Sequence, residues 1–151
     1  MNADIRKILL VEDSIQDAEM TLAALQENNL ANEVVHVRDG AEALDYLHGR
    51  GAVGSTGNGL PAFVLLDLKM PKVDGLEVLR QMKADARLRL IPVIMLTSSR
   101  EEGDMIRSYR LGVNSYVVKP VDFGAFIEAV RALGAFWAVV NEPPPGRTET
   151  A

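Results

Sequence analysis

The strongest constraint on the fold of this chain is a repeated alternation. Five short runs, IRKILLVED, NEVVHV, PAFVLLDL, IPVIMLTS and NSYVVKP, are rich in Val, Ile and Leu, and each is bounded by polar or turn residues. Most are continuously apolar, the habit of parallel strands covered on both faces by helices. Segments of helical character follow them: Ser14 to about Asn29, Ala41 to His48, Leu76 to Ala84, Glu101 to Leu111, and Phe123 to about Val140. In the last, Phe123, Phe126, Ile127, Val130, Leu133 and Trp137 recur at steps of three or four and mark one apolar face. Strand and helix thus alternate five times. Right-handed crossovers then predict an α/β fold, a doubly wound five-stranded parallel sheet of order 2-1-3-4-5 in a three-layer α/β/α sandwich.

With 151 residues, 48% of them hydrophobic, the chain can bury one real core and has little room for a second. A single domain is expected over residues 1–141. The tail NEPPPGRTET cannot stay helical past Pro143, so residues 142–151 are expected to be disordered. HGRGAVGSTGNGLP, ending at Pro61, is longer than a usual helix-to-strand link and reads as a mobile surface loop over residues 49–61. It lacks the Gly-Lys-Ser/Thr ending of a phosphate loop, and it precedes a strand where such loops follow one. No cysteine is present, which excludes disulfides, thiolate metal sites and a cysteine nucleophile. No uninterrupted apolar run reaches the roughly 18 residues of a membrane span, so a soluble, cytoplasmic protein without membrane contact is expected. A net charge of -5 with scattered Lys and Arg argues against direct nucleic-acid binding.

In doubly wound folds, ligands sit at the carboxyl ends of the strands, near the point where strand order reverses. The first run ends in Glu12 and Asp13, the third in Asp67, the fourth in Thr97 and Ser98, and the fifth in Lys119 and Pro120. With the first and third strands adjacent, Glu12, Asp13 and Asp67 converge. Three neighbouring carboxylates cannot all stay ionised unless one pKa rises or a cation enters. An all-oxygen, water-accessible site suits Mg²⁺ or Mn²⁺, whereas zinc would want His or Cys, and His36 and His48 lie elsewhere. Lys119 supplies a mobile point charge and Thr97 a hydroxyl, which together with a metal make a site for a phosphoryl group. A carboxylate in line could attack phosphorus and become an acyl phosphate, and Asp67, central on the middle strand, is the natural nucleophile.

These elements, the acidic pair in VEDS, the acceptor in LLDLKMPKVDG, the hydroxyl in MLTSS and the lysine in YVVKP, resemble the bacterial two-component response-regulator receiver domain from about Ile5 to Trp137. The resemblance implies the flavodoxin-like fold of the chemotaxis regulators and a phosphoacceptor that is not an enzyme in its own right. It implies that Asp67 takes phosphate from a sensor histidine kinase. Asp13 and Asp67 would hold Mg²⁺ with the backbone carbonyl of Lys69, Glu12 helping through water. Thr97 and Tyr116 would form a switch that reshapes the face of the fourth helix, fifth strand and fifth helix. A cis bond at Lys119-Pro120, which X-Pro bonds adopt more readily than others, would aim Lys119 inward. Glu12 departs from the Asp that many members carry. The segments SYRLGVNSYVVKP and FWAVV and the long loop before the third strand resemble, more narrowly, stand-alone receivers that partner bacterial phytochrome kinases. That likeness implies a homodimer, for which Tyr109, Phe136 and Trp137 are the aromatic candidates. With no output domain visible, a downstream protein or phosphotransfer partner must read the switch.

Singly, these residues have plainer readings: Ser14 with Asp17 as a helix cap, Asp13 as a helix-end charge, Thr97 as a cap, Lys119 as a surface lysine, Tyr116 and Trp137 as packing. Agreement among four strand ends outweighs them. Three rivals remain. An aspartate-nucleophile phosphatase would usually carry a second Asp where Lys69 stands. An FMN binder would not present two acids to an anionic ligand. A phosphorylation-independent adaptor on the same fold is the third. Lys69 and Ser99, flanking the acceptor and the hydroxyl, are expected to tune water access and so the phosphoryl lifetime.

Overall fold

The computed structural model describes residues 7–27, 33–49 and 60–119, together with Gly124, Phe126, Glu128 and Ala129, which are helical. The glycine-rich loop, Pro120, most of the last expected helix with Phe136 and Trp137, and the C-terminal tail lie outside the described residues. Chain order is β1 (Ile8–Val11), α1 (Ile15–Glu27), β2 (Val34–Val37), α2 (Gly40–Leu47), β3 (Phe63–Leu66), α3 (Gly75–Ala84), a 3-10 turn (Leu88–Leu90), β4 (Val93–Thr97), α4 (Glu102–Arg110) and β5 (Ser115–Val118). The strands form one parallel sheet in the order β2-β1-β3-β4-β5, as the alternation predicts. Among the described residues no helix is long and apolar enough to cross a membrane.

Side chains that alternate along each strand divide between two cores. Leu9, Val11, Val64, Leu66, Val93 and Met95 pack with Ala43 and Leu47 of α2 and Val78, Leu79 and Met82 of α3. Their strand neighbours Ile8, Leu10, Phe63, Leu65, Ile94 and Leu96 pack on the other face with Ala18 and Leu25 of α1 and with Phe126. β1, β3 and β4 are therefore buried throughout, while β2 and β5, at the sheet edges, are only partly covered. Each such buried Leu, Ile or Phe contributes about 1.5–3 kcal/mol over exposure.

Short-range chemistry sets the helix starts. Asp39 accepts the amide of Glu42 at 2.8 Å and Asp74 that of Glu77 at 3.0 Å, so α2 and α3 begin one residue before the apolar periodicity does. Thr97 does not cap α4, which starts after Glu101 without a side-chain cap. The 3-10 turn escaped the periodicity because only three residues form it; Asp85 accepts the amides of Arg87 and Leu88, and Leu88 is buried. Gly75 is required by crowding. A Cβ there would lie 2.2 Å from the Asp67 carbonyl oxygen, so only glycine lets α3 start against the end of β3.

Candidate functional site

Because all five strands run the same way, residues just past their ends share one edge of the sheet. Glu12 and Asp13 follow β1, Asp67 follows β3, Thr97 closes β4 and Lys119 follows β5. Ladder hydrogen bonds continue one step past the strands: the amide of Asp67 donates to Val11 O, that of Glu12 to Val37 O, and that of Lys119 to Thr97 O, at 2.8–3.0 Å. These bonds place the strand-end side chains with the rigidity of the sheet.

Carboxylate oxygens of Glu12, Asp13 and Asp67 all lie within 4.8 Å of one another. Glu12 and Asp67 are buried, while Asp13 is open to water. Lys119, whose side chain is only 11% exposed, is no solvated surface lysine. Its Nζ lies 2.5 Å from Glu12 Oε1, 2.8 Å from Asp17 Oδ2 and 3.5 Å from Asp67 Oδ2. The lysine thus belongs chiefly to Glu12 and Asp17, and its contact with Asp67 is the longest of the three. Burial alone would lower the Lys119 ammonium, but hydrogen bonds to Asp17 and Glu12 and the charges of Asp67 and Glu12 outweigh it and raise it above its ordinary value. Burial pushes the Glu12 carboxyl up to about 7; the bond to Lys119 opposes this, and the charge of Asp67 reinforces it. The Glu12 backbone is braced from the side, its carbonyl accepting the His36 ring Nε2–H at 2.8 Å, so His36 supports the site and is not a ligand in it. The cluster fits a hard divalent cation: oxygen donors only, one exposed edge for retained waters, and an excess of negative charge over the single lysine.

The β4 side has a different character. Thr97 is fully buried, and its Oγ1 accepts the Ser99 amide at 3.2 Å. Tyr116, half-buried, donates its hydroxyl to the Ser99 carbonyl at 3.1 Å. The Ser99 hydroxyl in turn donates to Asp104 Oδ2 at 2.6 Å. Asp104, 1% exposed, also binds Arg107 Nη2 at 2.5 Å and faces Lys69 Nζ at 3.7 Å. The Ser99 hydroxyl holds the Asp104 carboxyl below the usual carboxylate range against the cost of its burial, with Lys69 and Arg107 assisting. Tyr109 and Ile106, both exposed, stand one turn apart on α4.

Sequence reasoning identified the five strand-end groups and missed two acids. Asp17 reads as a capping partner of Ser14, and its amide does bond Ser14 Oγ at 3.2 Å, but its carboxylate reaches Lys119 as well. Asp104 is one of three acids in REEGD; nothing in their order tells which turns inward.

Residues 8–131 match the family described as the response regulator receiver domain. The chain belongs to that family. The receiver is 42% identical over 139 residues to the probable methanogenesis regulatory protein FilR2 of Methanothrix harundinacea, covering 91% of this chain and 86% of that protein. It is 38% identical over 130 residues to response regulator Rcp1 of Synechocystis sp., covering 86% and 87%. Among solved structures it resembles the bacteriophytochrome response regulator AtBRR, with a TM-score of 0.82 at 60% identity over 92% of this chain and 99% of that one. It resembles the phosphorylated cyanobacterial phytochrome response regulator RcpA, with a TM-score of 0.73 at 40% identity over 87% and 93%. The Mn²⁺-bound form of Rcp1 matches with a TM-score of 0.72 at 36% identity over 92% and 99%. The receiver is therefore a signalling domain close to phytochrome response regulators over nearly their whole length.

Proposed function

We propose that this receiver accepts a phosphoryl group on Asp67 from the phosphohistidine of a sensor histidine kinase, with a divalent cation at Glu12, Asp13 and Asp67. The observation that carries the reading is the convergence of those three carboxylates with Lys119 at one sheet edge. The Asp67 carboxylate oxygen attacks phosphorus, a P–O bond forms, the P–N bond to the donor imidazole breaks, and the ring keeps the electron pair. Lys119 shifts from Glu12 and Asp17 onto a phosphoryl oxygen, and the Thr97 hydroxyl donates to another. Mg²⁺ or Mn²⁺, held by the Asp13 and Asp67 carboxylates and the Lys69 carbonyl with Glu12 behind them, would neutralise charge on the transferred group. Thr97 and Tyr116 then relay the change to the face of α4 and β5.

Similarity to AtBRR and RcpA favours a bacterial phytochrome kinase as the donor, with signalling in the cytoplasm and output through a downstream protein or a second histidine carrier. Ile106 and Tyr109, one turn apart and both exposed on α4, support a homodimer through that face, to which Phe136 and Trp137 are the further aromatic candidates. Lys69 stands two residues after Asp67 and faces Asp104, so no general acid occupies the place a phosphatase would need one. The test is intact-protein mass after incubation with acetyl phosphate and Mg²⁺. A single phosphoryl adduct is expected, absent in Asp67→Asn and after chelation. Steady multiple turnover of small phosphate esters would instead establish the phosphatase, and no adduct from acetyl phosphate or kinase would leave the adaptor.

A further inference from the structure

Asp17 belongs to the charged half of the site but is neither the phosphoacceptor nor part of the three-carboxylate cluster. A closed circuit of hydrogen bonds fixes it there. The Ser14 amide donates to Glu12 Oε2 at 3.1 Å, and the Asp17 amide donates to Ser14 Oγ at 3.2 Å. Lys119 Nζ closes the circuit, donating to Asp17 Oδ2 at 2.8 Å and to Glu12 Oε1 at 2.5 Å. The first turn of α1 therefore presents the Asp17 carboxylate to the lysine. The two carboxylates that bind the lysine differ in what they need from it. The Glu12 side chain is 1% exposed and without Lys119 would be a buried charge lacking a counter-charge, whereas that of Asp17 is 38% exposed and can be hydrated by solvent. The core does not depend on the Asp17 bond, so the effect of that bond falls on the lysine.

We infer that Asp17 competes with a phosphoryl group on Asp67 for Lys119, as a positioning residue that acts through the lysine and limits how tightly the site holds that group. The inference rests on the phosphoacceptor reading and adds a residue that sets its strength. An ammonium has three protons to donate. Glu12 and Asp17 each take one, and the remaining carboxylate contact, to Asp67 Oδ2, is the longest at 3.5 Å. Whatever share of the ammonium Asp17 keeps is withheld from a phosphoryl oxygen. Asp17 also sets its own negative charge beside the negative charge that a phosphoryl group brings. Both effects have the same sign, so removing the carboxylate strengthens the hold of the site on a phosphoryl group.

The test titrates beryllium fluoride with Mg²⁺, a phosphoryl mimic, into wild type, Asp17→Asn, Asp17→Ala and Glu19→Gln by isothermal calorimetry, with the acetyl phosphate labelling rate, Mg²⁺ affinity and thermal melts alongside. Both Asp17 variants are expected to bind the mimic about threefold to tenfold more tightly, the effect of returning one charge-assisted hydrogen bond to the site, and to label faster. Mg²⁺ affinity measured alone is expected not to rise, so that the gain belongs to the anion. Glu19→Gln removes an exposed carboxylate of the same helix that has no bond to Lys119, and it is expected to match wild type. A role for Asp17 as a helix-end charge alone would lower the melting temperature of both variants without tightening the mimic. Folded Asp17 variants that bind the mimic no better than wild type overturn the competition and leave the phosphoacceptor reading standing, as does an equal gain in Glu19→Gln or in Mg²⁺ affinity. Absence of both mimic binding and an acetyl phosphate adduct in wild type overturns the phosphoacceptor reading and the competition with it.

Discussion

The two halves of the site are built on opposite electrostatic terms. On the β1–β3 side, Glu12, Asp17 and Asp67 share one lysine, with exposed Asp13 beside them, and burial pushes Glu12 up to about 7. On the β4 side, every polar group named has a partner: Thr97 with Ser99, Ser99 with Asp104, Tyr116 with Ser99, and Asp104 with Arg107. The first half carries an excess of negative charge of the kind a divalent cation would balance. The second is satisfied as it stands.

Substitution of Lys119 by Ala is the largest blow to the charged half. It leaves buried Glu12 and Asp67 without their counter-charge, and a loss of about 3 kcal/mol in denaturant unfolding is expected, with phosphorylation by acetyl phosphate slowed by an order of magnitude or more. A loss below about 0.5 kcal/mol would mean that the lysine is better solvated than its burial indicates. Next comes Gly75→Ala, which drives a Cβ into the Asp67 carbonyl oxygen and Leu68 Cα and should cost about 1–3 kcal/mol. Because that collision displaces the backbone around the Lys69 carbonyl, Mg²⁺ affinity by isothermal titration should fall as well. Unchanged affinity would separate the helix start from the metal site.

A pH dependence confined to the charged half is expected as well. The Glu12 carboxyl is raised in the folded chain from 4.5 to about 7, so the folded state binds a proton that the unfolded state does not. Its contribution to stability is full below about pH 4.5 and is lost as pH rises through about 7, with a slope of at most about 1.4 kcal/mol per pH unit. Metal-free protein should therefore melt higher at pH 5.5 than at pH 8, and Glu12→Gln should flatten the profile. Asp104, held below its usual range, acts in the opposite sense and only at lower pH, where protonation removes its bonds. An unchanged profile in Glu12→Gln would contradict the electrostatic contrast between the halves.

The fold was legible because continuous apolar runs and helical spacing are local properties, and strand order follows from handedness once alternation is seen. The charged half was legible for a related reason. Residues at the ends of parallel strands meet wherever the strands are adjacent, so VED and LLD predict a carboxylate cluster before any coordinate is known. The satisfied half was not. Asp104 turns inward where Glu101 and Glu102 turn outward, a choice set by how α4 is rotated against β4 and β5 and not by its own sequence. Asp17 illustrates the same limit, since a helix-cap spacing says nothing of a lysine 102 positions away.

The most direct test is to phosphorylate the protein with acetyl phosphate and Mg²⁺, reduce the acyl phosphate with borohydride, and locate the reduced side chain by peptide mass. A single reduced residue, Asp67, is expected, with none in chelated protein. Reduction at Asp13 or Glu12 in place of Asp67, or a phosphoryl group stable to borohydride, would contradict it.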